Sequence, residues 1–237
     1  MLRIPPYVEA LGVRGSKADF KYDVVSVNNQ SDVEISAVFT RTRKCTERAK
    51  LAFAAASVEW VAWRLDGVAD VSDLLHFAEA MWAAVVDYRY FKEIKHPTPD
   101  EGASWAHLFF FTWQNANALC RGCPKGEGNA NYCVHLAAMG RYVLPKSKQP
   151  AFAAWLEAVL ERIKGHWPMS PDVEDAEERQ GVPVPREAFD PAFEYSPDQD
   201  AKLLGAFLAG LDPKANPYLR SAADMTAAGF TGTPYKP

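Results

Sequence analysis

The chain has 237 residues, of which 48% are hydrophobic and 24% charged. That is enough apolar material for one substantial core and too much for a disordered chain. A net charge of -4 argues against a dedicated nucleic-acid binder, whose affinity rests on neutralising phosphates.

The first residues, from Met1 through Pro5, Pro6 and Tyr7, lack the apolar run of a secretory signal. The most apolar stretch, 105–113, falls short of the roughly 20 residues of a membrane helix. The expectation is a cytoplasmic protein with no membrane partner. In that setting its four cysteines are thiols or metal ligands and not disulfides.

The N-terminal residues 20–40 allow two readings. Tyr22–Val27 and Val33–Phe39 alternate apolar and polar residues, as a small β-hairpin around Asn28-Asn29 would. Ser31-Asp32-Val33-Glu34 is equally a capping box that can open a helix. A lone hairpin is marginal without a sheet to join, which favours the helix.

From Thr46 the spacing is helical. Leu51, Ala55, Val58, Ala62 and Leu65 form one stripe, and Phe53, Ala56, Trp60 and Trp63 a second, so this helix is covered on more than one side and lies at the centre. Asp66-Gly67 ends it. Asp70 can cap a second helix carrying Leu74, Ala78, Met81, Val85 and Tyr88, which the pattern extends to about Lys92. A third helix spans about 103–120, a fourth about 132–143, and a glycine-rich loop from Gly122 to Gly128 separates them. The fifth places Phe152, Trp155, Leu156, Val159, Leu160 and Ile163 on one face, with Gly165 as its expected stop.

The character then changes. Twelve of the seventeen prolines lie from Pro145 onward, and residues 171–200 hold ten acids against Arg179 and Arg186. Phe189, Phe193 and Tyr195 are too many aromatics for a free linker. The reading is an extended acidic, proline-rich crossing at about 167–195, with a short helical turn at 175–180. A helix follows from the capping box Ser196-Pro197-Asp198-Gln199 through Leu211, and a last short one opens at Ser221. The expected fold is therefore all-α, a single domain over 1–237 with about six main helices.

Four constellations carry possible chemistry. Cys120-Arg-Gly-Cys123 followed by Cys133-Val-His135 supplies four soft ligands of the kind a tetrahedral zinc needs. Against this, Cys133 and His135 on one helix stand about 200° apart around its axis. Small thiols filling space between helices account for the same residues. Glu59, His76, Glu79, His107 and His135 could form a carboxylate–histidine metal centre, but the paired Glu-x-x-His of helical di-metal proteins occurs only once and reversed. Arg41, Arg43, Lys44, Arg48 and Lys50 form a basic cluster that could hold an anion, neutralise the acidic crossing or simply face solvent. Asp172, Glu174, Asp175, Glu177 and Glu178 could enter the cationic cleft of a protein partner.

Gly-x-Ser-x-Gly, Walker, His-Glu-x-x-His and dinucleotide patterns are absent. The sequence therefore reads as a non-enzymatic binding protein without cofactor, of the general type of immunity proteins that neutralise bacterial toxins. The alternatives are a zinc protein using Cys120, Cys123, Cys133 and His135, or an enzyme with a pocket near Trp105, His107, Trp113 and Asn117.

Overall fold

A computed structural model describes residues 2–15, 23, 33–96, 98 and 104–236, with backbone only at 33–36, 104 and 105. Helix makes up 62% of the structure. β-Structure among the described residues is confined to three isolated bridges, so the chain is all-α. Ten α-helices are described: α1 (Pro6–Glu9), α2 (Val33–Thr42), α3 (Glu47–Leu65), α4 (Ser72–Val86), α5 (Ser104–Gly122), α6 (Ala130–Tyr142), α7 (Gln149–His166), α8 (Ala176–Gln180), α9 (Asp200–Ala209) and α10 (Ala222–Ala227). No helix among them is long and apolar enough to cross a membrane.

Helix α3 is the axis of the fold. Its two apolar stripes leave almost no polar face, and every one of its residues except Arg48 is buried. Alanines at 49, 52, 54, 55, 56 and 62 let α4, α5 and α6 approach closely. Its fully buried charged residues, Glu47, Lys50, Glu59 and Arg64, each have hydrogen-bonded partners, as burial demands. Arg64, for example, donates from Nε to the carbonyl of Val143 at 2.9 Å.

Helix α7 buries Phe152, Trp155, Leu156, Val159, Leu160 and Ile163, the six positions of its apolar stripe. Each is worth roughly 1.5–3 kcal/mol of burial. Trp155 stacks with Tyr7 (5.4 Å between ring centroids) and meets the edge of Trp60 at 5.3 Å, joining α1, α3 and α7 in one aromatic cluster. Gly165 does not stop this helix, which continues through His166. The stop comes from tertiary contacts. Trp167 is buried, and the backbone beside it is drawn into a short pairing in which Thr46 donates to the Trp167 carbonyl and Met169 to that of Lys44.

Helix α4 ends at Val86, earlier than the apolar spacing predicts. Asp87 is extended, and its carboxylate accepts from both the amide and the guanidinium of Arg89. A 3-10 turn over Tyr88–Tyr90 follows, and Phe91 then pairs with Leu219. The C-terminal segment is clamped here by side chains as well. Asn216 donates to Glu79 at 2.9 Å and to the carbonyl of His76 at 2.8 Å. Asp70 accepts the Ser72 amide, while the residue at the helix cap itself is Val71.

Helix α2 covers Val33–Thr42, so the second half of the alternating N-terminal stretch is helical. Asn28-Asn29 and the Ser31 capping box lie outside the described residues.

Candidate functional site

Residues 167–199 follow the surface of the bundle through one short α-helix and two 3-10 turns, Arg186–Phe189 and Pro197–Gln199. Asp175 caps α8, its carboxylate accepting from the amides of Glu177 (2.8 Å) and Glu178 (3.2 Å). Arg179 reaches the buried carboxylate of Glu47 at 3.8 Å, and Gln180 donates to the carbonyl of Pro124 at 3.2 Å. Gly181, at φ 67°, lies against the side chain of Thr46. Val184, Pro185 and Phe189 are buried.

The segment is thus held to the Lys44–Thr46 turn before the acidic run and to α3 after it. Asp172, Glu174, Asp175, Glu177 and Glu178 are all exposed, but their roles differ. Asp175 is engaged by the helix cap, and the other four carboxylates face solvent.

Four of the five residues of the basic cluster are engaged elsewhere, and Lys44 is exposed. Arg41 bridges Glu157 at 2.8 Å and Glu161 at 3.1 Å on α7. Lys50 pairs with Glu47 at 2.7 Å inside the fold and also donates to the carbonyl of Gly128. Arg43 and Arg48 lie over the rings of Phe39 and Tyr88. Among the described residues no ion pair joins residues 41–50 to the carboxylates of 172–178.

Cys45, Cys120, Cys123 and Cys133 are all free and buried. Burial raises the thiol pKa of each, to about 12 for Cys45 and Cys133. Cys133 points to α3, donating weakly to the carbonyl of Lys50. Cys123 sits beside Gly128 and Glu47, where a Cβ on Gly128 would fall 2.7 Å from its sulfur. His135 is half-buried two residues along α6 from Cys133, with its pKa lowered by burial. Among the described residues no three or more His, Cys, Asp or Glu side chains are gathered to hold a metal ion. The geometry around Cys133 and His135 is the obstacle, because side chains two residues apart leave opposite faces of α6 and do not turn to one centre.

The carboxylate–histidine set is likewise dispersed. Glu59 is fully buried and accepts from Trp82 Nε1 (2.6 Å), Trp63 Nε1 (3.2 Å) and two nitrogens of Arg186. Glu79 belongs to the Asn216 clamp. Burial by itself would lower the Arg186 pKa, but the charge of Glu59 and its hydrogen bonds outweigh this and leave it raised. Arg186 also donates to the carbonyl of Arg3, so one guanidinium ties the acidic segment, the N-terminal residues and α3 together. Nothing local in the sequence marks Arg186 for this, since Glu59 lies 127 residues earlier.

Of the aromatic set on α5, Asn117 donates to Glu93 at 3.2 Å, and the side chain of Trp105 lies outside the described ones. Trp113 meets the ring of His96 at 4.7 Å between centroids. His96, Tyr218 and Asp73 form a linked group that sequence spacing does not reveal: Tyr218 Oη lies 2.8 Å from Asp73 Oδ2 and within hydrogen-bond reach of His96 Nε2. The single hydroxyl proton of Tyr218 goes to the carboxylate, so His96 Nε2 is the donor to the phenol oxygen. Comparison of the chain with family models, with curated proteins and with solved structures finds no match.

Proposed function

We propose that this chain is a non-enzymatic binding protein that offers its acidic 172–178 surface to a cationic protein partner, as an antidote does when it occupies the cleft of a toxin. The observation that carries this reading is the exposure of Asp172, Glu174, Glu177 and Glu178 on a segment braced at Arg179, Gln180 and Arg186. A charged surface already held in place loses little conformational freedom on binding. Four unpaired carboxylates also steer a basic partner toward it and speed the encounter.

The test compares tagged wild-type chain with a variant carrying D172K, E174K, E177K and E178K, with Asp175 kept so that α8 stays capped. Both are used to capture proteins from cells of the native host at low and high salt. The wild type is expected to retain a basic protein that high salt releases and that the variant does not retain. Identical captured sets, with both chains folded by near-UV circular dichroism, would overturn the reading.

A further inference from the structure

A cavity of about 310 Å³ opens between the start of α4, the first half of α5 and the chain at His96. Its floor and walls are aromatic. Trp113 lies 6.3 Å from Phe77 and 6.1 Å from Phe110 between ring centroids, and packs edge-on against His96. Its polar side chains are Asp70, Asp73 and His96, and no lysine or arginine lines it among the described residues.

Both acids are positioned. The Ser72 amide and side chain hold Asp70 below the usual carboxylate range. Asp73 accepts from Tyr218, which is itself fully buried and fixed through Asn216 and the Phe91–Leu219 bridge. His96 is fixed by the same phenol.

Ring faces carry partial negative charge and attract cations, and a desolvated aromatic wall strengthens that attraction. Two carboxylates, with His96 as the one titratable base of the lining and no lysine or arginine in it, add to that attraction and disfavour anions. A volume near the lower end of the roughly 300–1,000 Å³ range of ligand sites suits a small molecule and not a peptide. We infer that this cavity binds a small organic cation, an alkylammonium head seated on the partly exposed rings of Trp113 and Phe110 with Asp70 and Asp73 as its counter-charge. This site is independent of the acidic 172–178 surface.

Three probes of one shape test it: choline, its neutral carbon isostere 3,3-dimethylbutan-1-ol, and the anion 3,3-dimethylbutanoate. Each is titrated into the full chain up to about 20 mM by calorimetry and protein-observed NMR. Choline is expected to saturate, with the neutral isostere about tenfold weaker or worse and the anion not binding. The D70N/D73N pair is expected to remove the preference for the cation. Because Asp73 also anchors Tyr218, F110A on the half-buried wall serves as a second variant and should weaken choline more than the neutral isostere. Equal binding of choline and its isostere, an unchanged preference in a folded D70N/D73N chain, or no saturation by choline would overturn the assignment.

Discussion

Replacing Arg186 with methionine removes two of the four hydrogen bonds that Glu59 accepts and leaves a fully buried carboxylate with only the indoles of Trp63 and Trp82. Breaking a buried pair from one side costs about 3–5 kcal/mol, most of it the penalty of the stranded charge. For a chain of this length each kcal/mol moves the melting temperature by about 2–4 °C, so the expected fall is about 6–20 °C. The stranded charge can be removed by adding E59Q, whose amide oxygen can still accept from the indoles. The E59Q/R186M chain should recover at least half of the R186M loss, giving a coupling energy of at least about 2 kcal/mol in a double-mutant cycle, and more by whatever E59Q alone costs. Urea unfolding followed by far-UV circular dichroism measures all four chains. A cost for R186M below about 1 kcal/mol, or strictly additive single variants, would refute the view that this pair stabilises the packing of the acidic segment on α3.

Three further expectations follow from side-chain geometry. Tyr218→Phe deletes the hydroxyl between Asp73 and His96 and should cost about 1–2 kcal/mol in urea unfolding, with an unchanged m-value; no measurable change would mean that the linked group is not formed in solution. Gly181→Ala should cost about 2–4 kcal/mol, because φ 67°, ψ −170° is open essentially to glycine alone and the new Cβ would lie 2.5 Å from Thr46 Cγ2; a thermal melt within about 1 °C of wild type would contradict it. Thiols raised to about 12 are only about one part in ten thousand ionised at pH 8, so iodoacetamide should label Cys45 and Cys133 only after unfolding. Since their folded values exceed the ordinary 9.0, the stability from neutral thiols is full below pH 9 and is lost as pH rises toward 12. Native labelling at the rate of a free thiol would refute their burial.

Helices with a long apolar stripe were legible in the sequence because the stripe is itself the cause of their burial. The two stripes of α3 and the six-residue face of α7 correspond to the observed core positions. Helix ends were less legible where distant residues set them. Trp167 and its pairing with the Lys44–Thr46 turn override the stop that Gly165 implies, and the Phe91–Leu219 bridge helps draw the chain out of α4. Capping boxes at Ser196 and Ser221 were readable because both partners lie within three residues. The acidic run was visible as composition, but the role of Asp175 as a cap and of Arg186 as a buried counter-ion needed the fold. The aromatic cavity was hidden for the same reason: Trp113 appears in sequence as one of many rings on α5, and Asp73 and Tyr218 are 145 residues apart.

The Glu59–Arg186 pair also joins residues made far apart in the course of synthesis. Helix α3 leaves the ribosome early, carrying a carboxylate that stays uncompensated until 127 more residues have been made. The Asn216 clamp on α4 arrives later still, 137 residues after Glu79. A chain truncated before Arg186 thus holds most of the apolar core together with an unpaired acid, and is expected to be cut by a protease faster than the full chain. Full pairing of the buried carboxylates of α3 and α4 therefore waits for the C-terminal part of the chain.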